Sequence, residues 1–480
     1  MKRGMVASHE PRTGVVELPS PGLPADHGLA SLGLIMQLAG RTTAALTALA
    51  ATVAWIDCRF EHRGGWLALA IALGLVRSQL HRIAGRDLTY GRHAADGRSA
   101  DPLHATRRYA AFGIAHAIAL GAIAALAFGR PAATAAAIAA ALAVWPAALA
   151  VVGSAPRFAA LRAGLPLGED RGLEGAAIVM TVLGAYGILS TGGLVVLLGR
   201  LSPHHRAHGW GGMLVVVFAL LVGRSALQLR AGLAGLRHSS FDRPGELAGR
   251  YAAFGVISAF CVGGVLSLLA MSERLTPDAI LGVAAMCWLL VTWPMVVKRY
   301  FNHRQFAELL AGDRVTHRRA PDAGLTGLGW LLAGHAALVG GLAILALAVH
   351  PRLGGTIDGA LLLGGLAVGR WPLDSSLGAG LGPSLAAAVV VLELATAVAL
   401  IRMSDHRAAI ATIYAVFAGI VALGPTLPVV HSLGHHLDGW TAIRLLPSAV
   451  QLVLPVTALV LVHRALAPAA RARYRRRPAA

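Results

Sequence analysis

Residues Arg108–Gly113 read RYAAFG, and the same six residues return at Arg250–Gly255. Each copy opens a long apolar run. IAHAIALGAIAALAF follows the first and VISAFCVGGVLSLLA the second. An identical hexapeptide at the same place in two apolar segments is the mark of an internal duplication, and its period sets the architecture. The hexapeptide itself reads structurally. Arg108 and Arg250 stand where the chain re-enters an apolar layer, as interfacial anchors do. The tyrosine suits the headgroup level, and Ala-Ala-x-Gly leaves a small face for close helix packing.

Working outward, each copy sits third in a group of four apolar segments, here named A to D. The A segments open alike, with GLASLGLIMQLAG from Gly28, GLEGAAIVMTVLG from Gly172 and GLTGLGWLLAG from Gly324. The B segments carry Arg77, Arg224 and Arg370 at matching positions. The D segments of the first two groups carry Trp-Pro, at Trp145 and Trp293, and a weaker counterpart, GPTLPVVHSLGHHLDG, runs from Gly424. The expected organisation is a tail over 1–27, four-helix units over 28–171 and 172–323, a degenerate third unit over 324–439 lacking RYAAFG, and a hydrophobic segment with a basic tail over 440–480.

Composition places these segments in a membrane. Of 480 residues, 56% are hydrophobic and only 14% charged, and the mean hydropathy is +0.65. A soluble domain could not bury so much apolar surface. Segments near ~20 apolar residues are long enough to cross ~30 Å of hydrocarbon. They should be helices, because a lipid-exposed backbone must satisfy its own hydrogen bonds, and alternating barrel strands are absent. The predicted fold is therefore all-α and polytopic, with about 12–13 transmembrane helices in three parallel four-helix repeats plus a C-terminal helix. The run at 357–370 is short for a span. The run at 441–463 contains Arg444, Pro447 and Pro455, which are awkward against lipid.

Lys and Arg concentrate in the B–C and D–A connections and thin out in the A–B and C–D connections. By the positive-inside rule the former face the cytoplasm, as does the N-terminus, and units with an even number of spans share one orientation. An Ala-, Gly- and Arg-rich, Lys-poor chain suggests a GC-rich bacterial genome, so the expected location is a bacterial inner membrane. The formal net charge of +19 follows the loops and not a basic, aromatic-studded soluble domain, so no nucleic-acid partner is expected. The expected partners are the lipid bilayer and a membrane or cytoplasmic protein.

The three cysteines, Cys58, Cys261 and Cys287, are scattered and form no metal or disulfide pattern. Nothing matches a phosphate-binding loop, a dinucleotide fingerprint or a nucleophile elbow, so no cofactor and no enzymatic activity are expected. Chemistry should lie in the few ionisable residues inside apolar runs, each of which is expensive unless paired or hydrated. Glu393, mid-way in the third C segment, is the leading one. Arg41 and His335 occupy similar places in the first and third A segments, and His116 lies in the first C segment. The B-segment arginines Arg77, Arg224 and Arg370 would form an anion-attracting ring or snorkel as interface anchors. Two histidine groups, His204, His205 and His208, and His431, His435 and His436, are weak zinc candidates that match no defined spacing.

Three functions fit this pattern. The first is a transporter or permease for a small molecule, ion or lipid-linked substrate, with Glu393, Arg41 and His335 converging at the repeat interface. The second is a non-catalytic scaffold or accessory subunit of an envelope complex. The third is an intramembrane enzyme acting on a lipid substrate, with His204, His205 and His208 as its weak candidate residues.

Overall fold

The computed structural model describes residues 28–56, 64–90, 103–153, 173–201, 210–237, 244–272, 277–302, 324–349, 376–402, 404–433 and 446–475. Among them are twelve helices and no strand. The first four are α1 (Leu29–Ile56), α2 (Gly64–Tyr90), α3 (His104–Leu126) and α4 (Ala132–Gly153). Next come α5 (Leu173–Leu201), α6 (Trp210–Arg237), α7 (Pro244–Ser272) and α8 (Pro277–Phe301). The last are α9 (Leu325–Val349), α10 (Ser376–Ile401), α11 (Arg407–Leu433) and α12 (Leu446–Arg475). The tail over 1–27, the run at 357–370 and Arg444 lie outside the described residues. The last apolar segment is one continuous helix, with Pro447 in its first turn and Pro455 inside it.

Five helical stretches are long and apolar enough to cross a membrane: Gly64–Thr89, His104–Leu126, Ala132–Val151, Val215–Leu236 and Gly245–Val265. Shorter apolar stretches lie in α5, α9, α10, α11 and α12. The outer surface agrees with them. Ile118, Leu126, Val215, Phe260 and Val391 are each more than 60% exposed, a placement that lipid accommodates and water penalises. An all-helical chain of this kind is consistent with a helical membrane protein.

At the centre, α1, α5 and α9 meet one another. Ser31 of α1, Gly175 of α5 and Gly327 of α9 touch at this junction, where side chains larger than serine would hold the backbones apart. The entries to α1 and α9 are alike. Gly28 and Gly324 take φ of 63° and 85°, a left-handed conformation that glycine adopts without strain. Their carbonyls accept the first helical bonds, from Leu32 and Leu328, each at 2.9 Å.

Outside the central three, neighbours in sequence pair in space. Helix α2 packs on α1, α6 on α5 and α10 on α9, and then α3 on α2, α7 on α6 and α11 on α10. Then α4 packs on α3, α8 on α7 and α12 on α11. Each of these last helices also reaches one of the central three: α8 lies on α1, α12 on α5 and α4 on α9.

The two copies of RYAAFG do the same thing at their close contacts. Tyr109 and Tyr251 are buried, at 1% and 0% exposure, while Arg108 and Arg250 are exposed at the helix starts. Arg250 pairs with Glu246 one turn earlier at 2.6 Å. The glycine that ends each copy faces a proline inside the following helix. A Cβ on Gly113 would sit 2.6 Å from Pro146, and a Cβ on Gly255 would sit 2.6 Å from Pro294. These are the prolines of the two Trp-Pro pairs. Each ring fills the space that the missing side chain leaves.

Candidate functional site

Helices α5, α9 and α10 carry three polar side chains to one point inside the bundle. His335 of α9 lies with Nδ1 2.8 Å from Oε1 of Glu393 on α10. Its other ring nitrogen, Nε2, is 3.5 Å from the hydroxyl of Tyr186 on α5, and the two rings tilt against each other at 5.9 Å. Glu393 is buried at 2% exposure, and the His335 side chain keeps 18%. Apolar stretches surround all three. A carboxylate so placed must be paired or neutral, because bare ions are far from stable in a low-dielectric interior.

The geometry sets the roles. A carboxylate only accepts, so His335 Nδ1 donates to Glu393 whenever Glu393 is ionised. The neutral ring then offers Nε2 as acceptor, and the Tyr186 hydroxyl can donate to it. Protonated, the ring donates from both nitrogens. The chain Tyr186–His335–Glu393 thus has two hydrogen-bonded arrangements that differ by the position of a proton, and imidazole is the group best suited to pass one. Tyr414 of α11, buried at 2%, lies near enough to feel the Glu393 charge.

Of the residues singled out from sequence, His335 and Glu393 meet. Arg41 is on α1, and its carbonyl accepts from Trp288 Nε1 of α8 at 3.4 Å. Tyr186 and Tyr414 are the partners the sequence reading missed. Tyr186 lay one residue past the position aligned with His335, and a tyrosine in an apolar run gave no other sign.

His116 and Arg77 form a second polar group between α2, α3 and α4. Arg77 Nη1 is 3.2 Å from His116 Nδ1, and Nη2 donates to the Leu142 carbonyl at 2.8 Å. One turn along α2, His81 stacks on Tyr109 at 4.2 Å with planes 7° apart, and accepts from Trp145 Nε1 at 3.0 Å. Tyr109 also adjoins Arg77. Arg77 and Trp145 thus both have acceptors within the protein, while His116 Nε2 is buried without one among the described residues.

Helices α6, α7 and α8 hold a matching group with different fillings. Arg224 lies beside Tyr251, as Arg77 does beside Tyr109, and is 7% exposed. In place of His116 stands Ser258, which donates to the Gly255 carbonyl at 3.1 Å. In place of His81 stands Gln228, which donates to the Met180 carbonyl at 3.3 Å. Arg224 Nη1, the Tyr251 hydroxyl and Trp293 Nε1 are all buried without a hydrogen-bond partner.

Arg370 and the histidines His204, His205, His208, His435 and His436 lie outside the described residues. So does the side chain of His431. Among the described residues, no group of three His, Cys, Asp or Glu is placed to hold a metal ion. No protein-family model, curated protein or solved structure matches the chain.

Proposed function

We propose that the chain is a multi-pass transporter or permease built as three four-helix units around a central α1–α5–α9 axis. In this reading the Tyr186–His335–Glu393 cluster at the axis handles a proton or small cation. The observation that carries it is the buried 2.8 Å bond between His335 Nδ1 and Glu393 Oε1 on neighbouring helices of one unit, with Tyr186 of another unit on the far nitrogen. A buried ionisable chain of this kind has few structural justifications in an apolar bundle and suits a proton or cation path.

The three-unit organisation is supported by contacts between equivalent residues. Ser31, Gly175 and Gly327 are the same position of the three A segments, and they touch. The pairings α1·α8, α5·α12 and α9·α4 form one closed cycle when the units are α1–α4, α5–α8 and α9–α12. This redraws the third unit. Its C helix is α11, where YAVFA at Tyr414–Ala418 stands for YAAFG, and its D helix is α12, where Leu454-Pro455 stands for Trp-Pro. The third unit then runs from 324 to 475 with none of the described helices left over. All units share one direction, which supports parallel repeats.

In the same frame Glu393 takes the place of Arg77 and Arg224. Each lies on the second helix of its unit beside the buried tyrosine of the third: Tyr109, Tyr251 and Tyr414. Two units hold a cation there and one holds a carboxylate. Such an inversion breaks the symmetry at one point, where a cation would be handled. Loop charge supports an inner-membrane location with the N-terminus in the cytoplasm.

The burial of Glu393 at 2% favours a second reading, a membrane scaffold in which the His335–Glu393 pair is a fixed structural link. Reconstitution separates the two. The protein alone, in liposomes loaded with a pH-sensitive dye, is expected to dissipate an imposed proton or sodium gradient. Liposomes as tight as empty ones would leave the scaffold.

A further inference from the structure

We propose that Arg224, Tyr251 and Trp293 form a binding site for a small monovalent inorganic anion, of the chloride or nitrate class, inside the α6–α7–α8 group. The proposal stands apart from the Glu393 cluster and does not need transport to be correct.

Three observations carry it. First, three strong donors are buried there with nothing to donate to. Arg224 is 7% exposed, Tyr251 0% and Trp293 5%, and Nη1, the hydroxyl and Nε1 all lack partners among the described residues. One such atom is an ordinary imperfection, whereas three together, one of them charged, ask for an acceptor. Second, Arg224 and Tyr251 sit together, and Trp293 stands on the helix packed against that of Tyr251. Tyr251 adjoins the guanidinium. Arg224 Nε would be 3.8 Å from a Cβ on Gly255, and that same Cβ would be 2.6 Å from Pro294, the residue after Trp293. Third, no carboxylate among the described residues pairs with Arg224. A buried guanidinium without a counter-charge is costly in a membrane-like interior.

The first unit supplies the control within the same molecule. There two of the three corresponding donors are answered by histidines. Arg77 meets His116 Nδ1, and Trp145 donates to His81 Nε2, which is stacked on Tyr109. At the matching positions the second unit has Ser258 and Gln228. Both imidazole acceptors are gone and all the donors remain. The backbone frame is the same, with glycine on proline at 2.6 Å in each. An anion replaces the two ring nitrogens as the common acceptor. The donor set is one guanidinium, one phenol and one indole N–H, with no second cation. That suits a single negative charge of small size better than a phosphate or sulfate.

The test uses the full chain in detergent and follows thermal unfolding against sodium chloride or sodium nitrate. Sodium gluconate holds the ionic strength constant. The wild type is expected to gain a saturable rise in Tm with chloride or nitrate over gluconate. Arg224→Gln is expected to abolish it. A Gln228→His, Ser258→His double variant rebuilds the acceptors of the first unit and keeps Arg224. It is expected to weaken the apparent anion affinity by about tenfold or more while folding as well in gluconate. If Arg224→Gln fails to fold, the double variant decides. No anion-specific rise in the wild type, or a rise undiminished in Arg224→Gln or in the double variant, would overturn the site.

Discussion

His335 and Glu393 are 58 residues apart in the chain and 2.8 Å apart in space, joined through Nδ1 and Oε1 between α9 and α10. Each is the partner that makes the other tolerable. An unpaired carboxylate or imidazolium among apolar helices would cost several kcal/mol, so the two must be lost or kept together. Glu393→Ala is expected to lower stability by about 3–5 kcal/mol, because it leaves His335 without its acceptor and opens a void. Glu393→Gln keeps the shape and an acceptor, and should cost about 1–2 kcal/mol. Chemical unfolding in detergent reads both, and equal losses would mean that the charge, which both variants remove, carries the whole effect and that the shape and acceptor kept by glutamine contribute nothing.

Gly113 and Gly255 make a paired prediction. Alanine at either puts a Cβ 2.6 Å from a proline ring held inside a helix, with little room to retreat. Each substitution is expected to destabilise by about 1–3 kcal/mol, and by similar amounts. Gly249→Ala, on the same helix as Gly255, meets nothing within 4 Å and should stabilise by about 0.5–1 kcal/mol through helix propensity. Thermal unfolding of the three variants checks the order. A benign Gly255→Ala beside a damaging Gly113→Ala would break the equivalence of the two copies.

The central junction predicts a stronger effect. Gly175 and Gly327 allow the backbones of α5 and α9 to approach Ser31 of α1. Gly327→Leu forces these helices apart and is expected to abolish the monodisperse peak in size-exclusion chromatography. Gly327→Ala should retain the peak with lowered thermal stability.

Trp145 and Trp293 stand at matching places but do different things. Trp145 donates to His81, so Trp145→Phe is expected to cost about 1 kcal/mol for the lost bond and the orphaned acceptor. Trp293→Phe removes a donor that has no protein acceptor, and in gluconate it should be neutral or mildly stabilising. Equilibrium unfolding of the two variants in that salt reads the difference.

Much of the fold was legible because apolar length and the repeated hexapeptide are loud signals. They led to the all-helical architecture of a membrane-like chain. The proposed third unit was legible only in part. YAVFA keeps the buried tyrosine and phenylalanine of YAAFG but loses the glycine, and Leu-Pro keeps only the proline of Trp-Pro. Against an Ala- and Leu-rich background those survivors do not stand out until the helix neighbours are known. Glu393 was visible as a lone carboxylate, and His335 as a lone histidine. Their pairing was guessable because few other polar groups exist. That Tyr186 would be the third member depends on the relative rotation of α5, α9 and α10. Side-chain direction around three packed axes is a tertiary property that spacing along one helix does not encode. The unanswered donors around Arg224 were invisible for a further reason. They are defined by missing acceptors, and only the comparison with the histidines of the first unit reveals them.

The central claim is that the Tyr186–His335–Glu393 cluster moves a proton or small cation. The most direct measurement is gradient dissipation by purified protein in dye-loaded liposomes, comparing wild type, Glu393→Gln and His335→Ala at matched, verified folding. The account predicts flux above empty liposomes for the wild type, and a loss of about tenfold or more in each variant, the size expected when a positioned proton-transfer group is removed. Wild-type liposomes no leakier than empty ones, or Glu393→Gln liposomes as active as wild type, would contradict it.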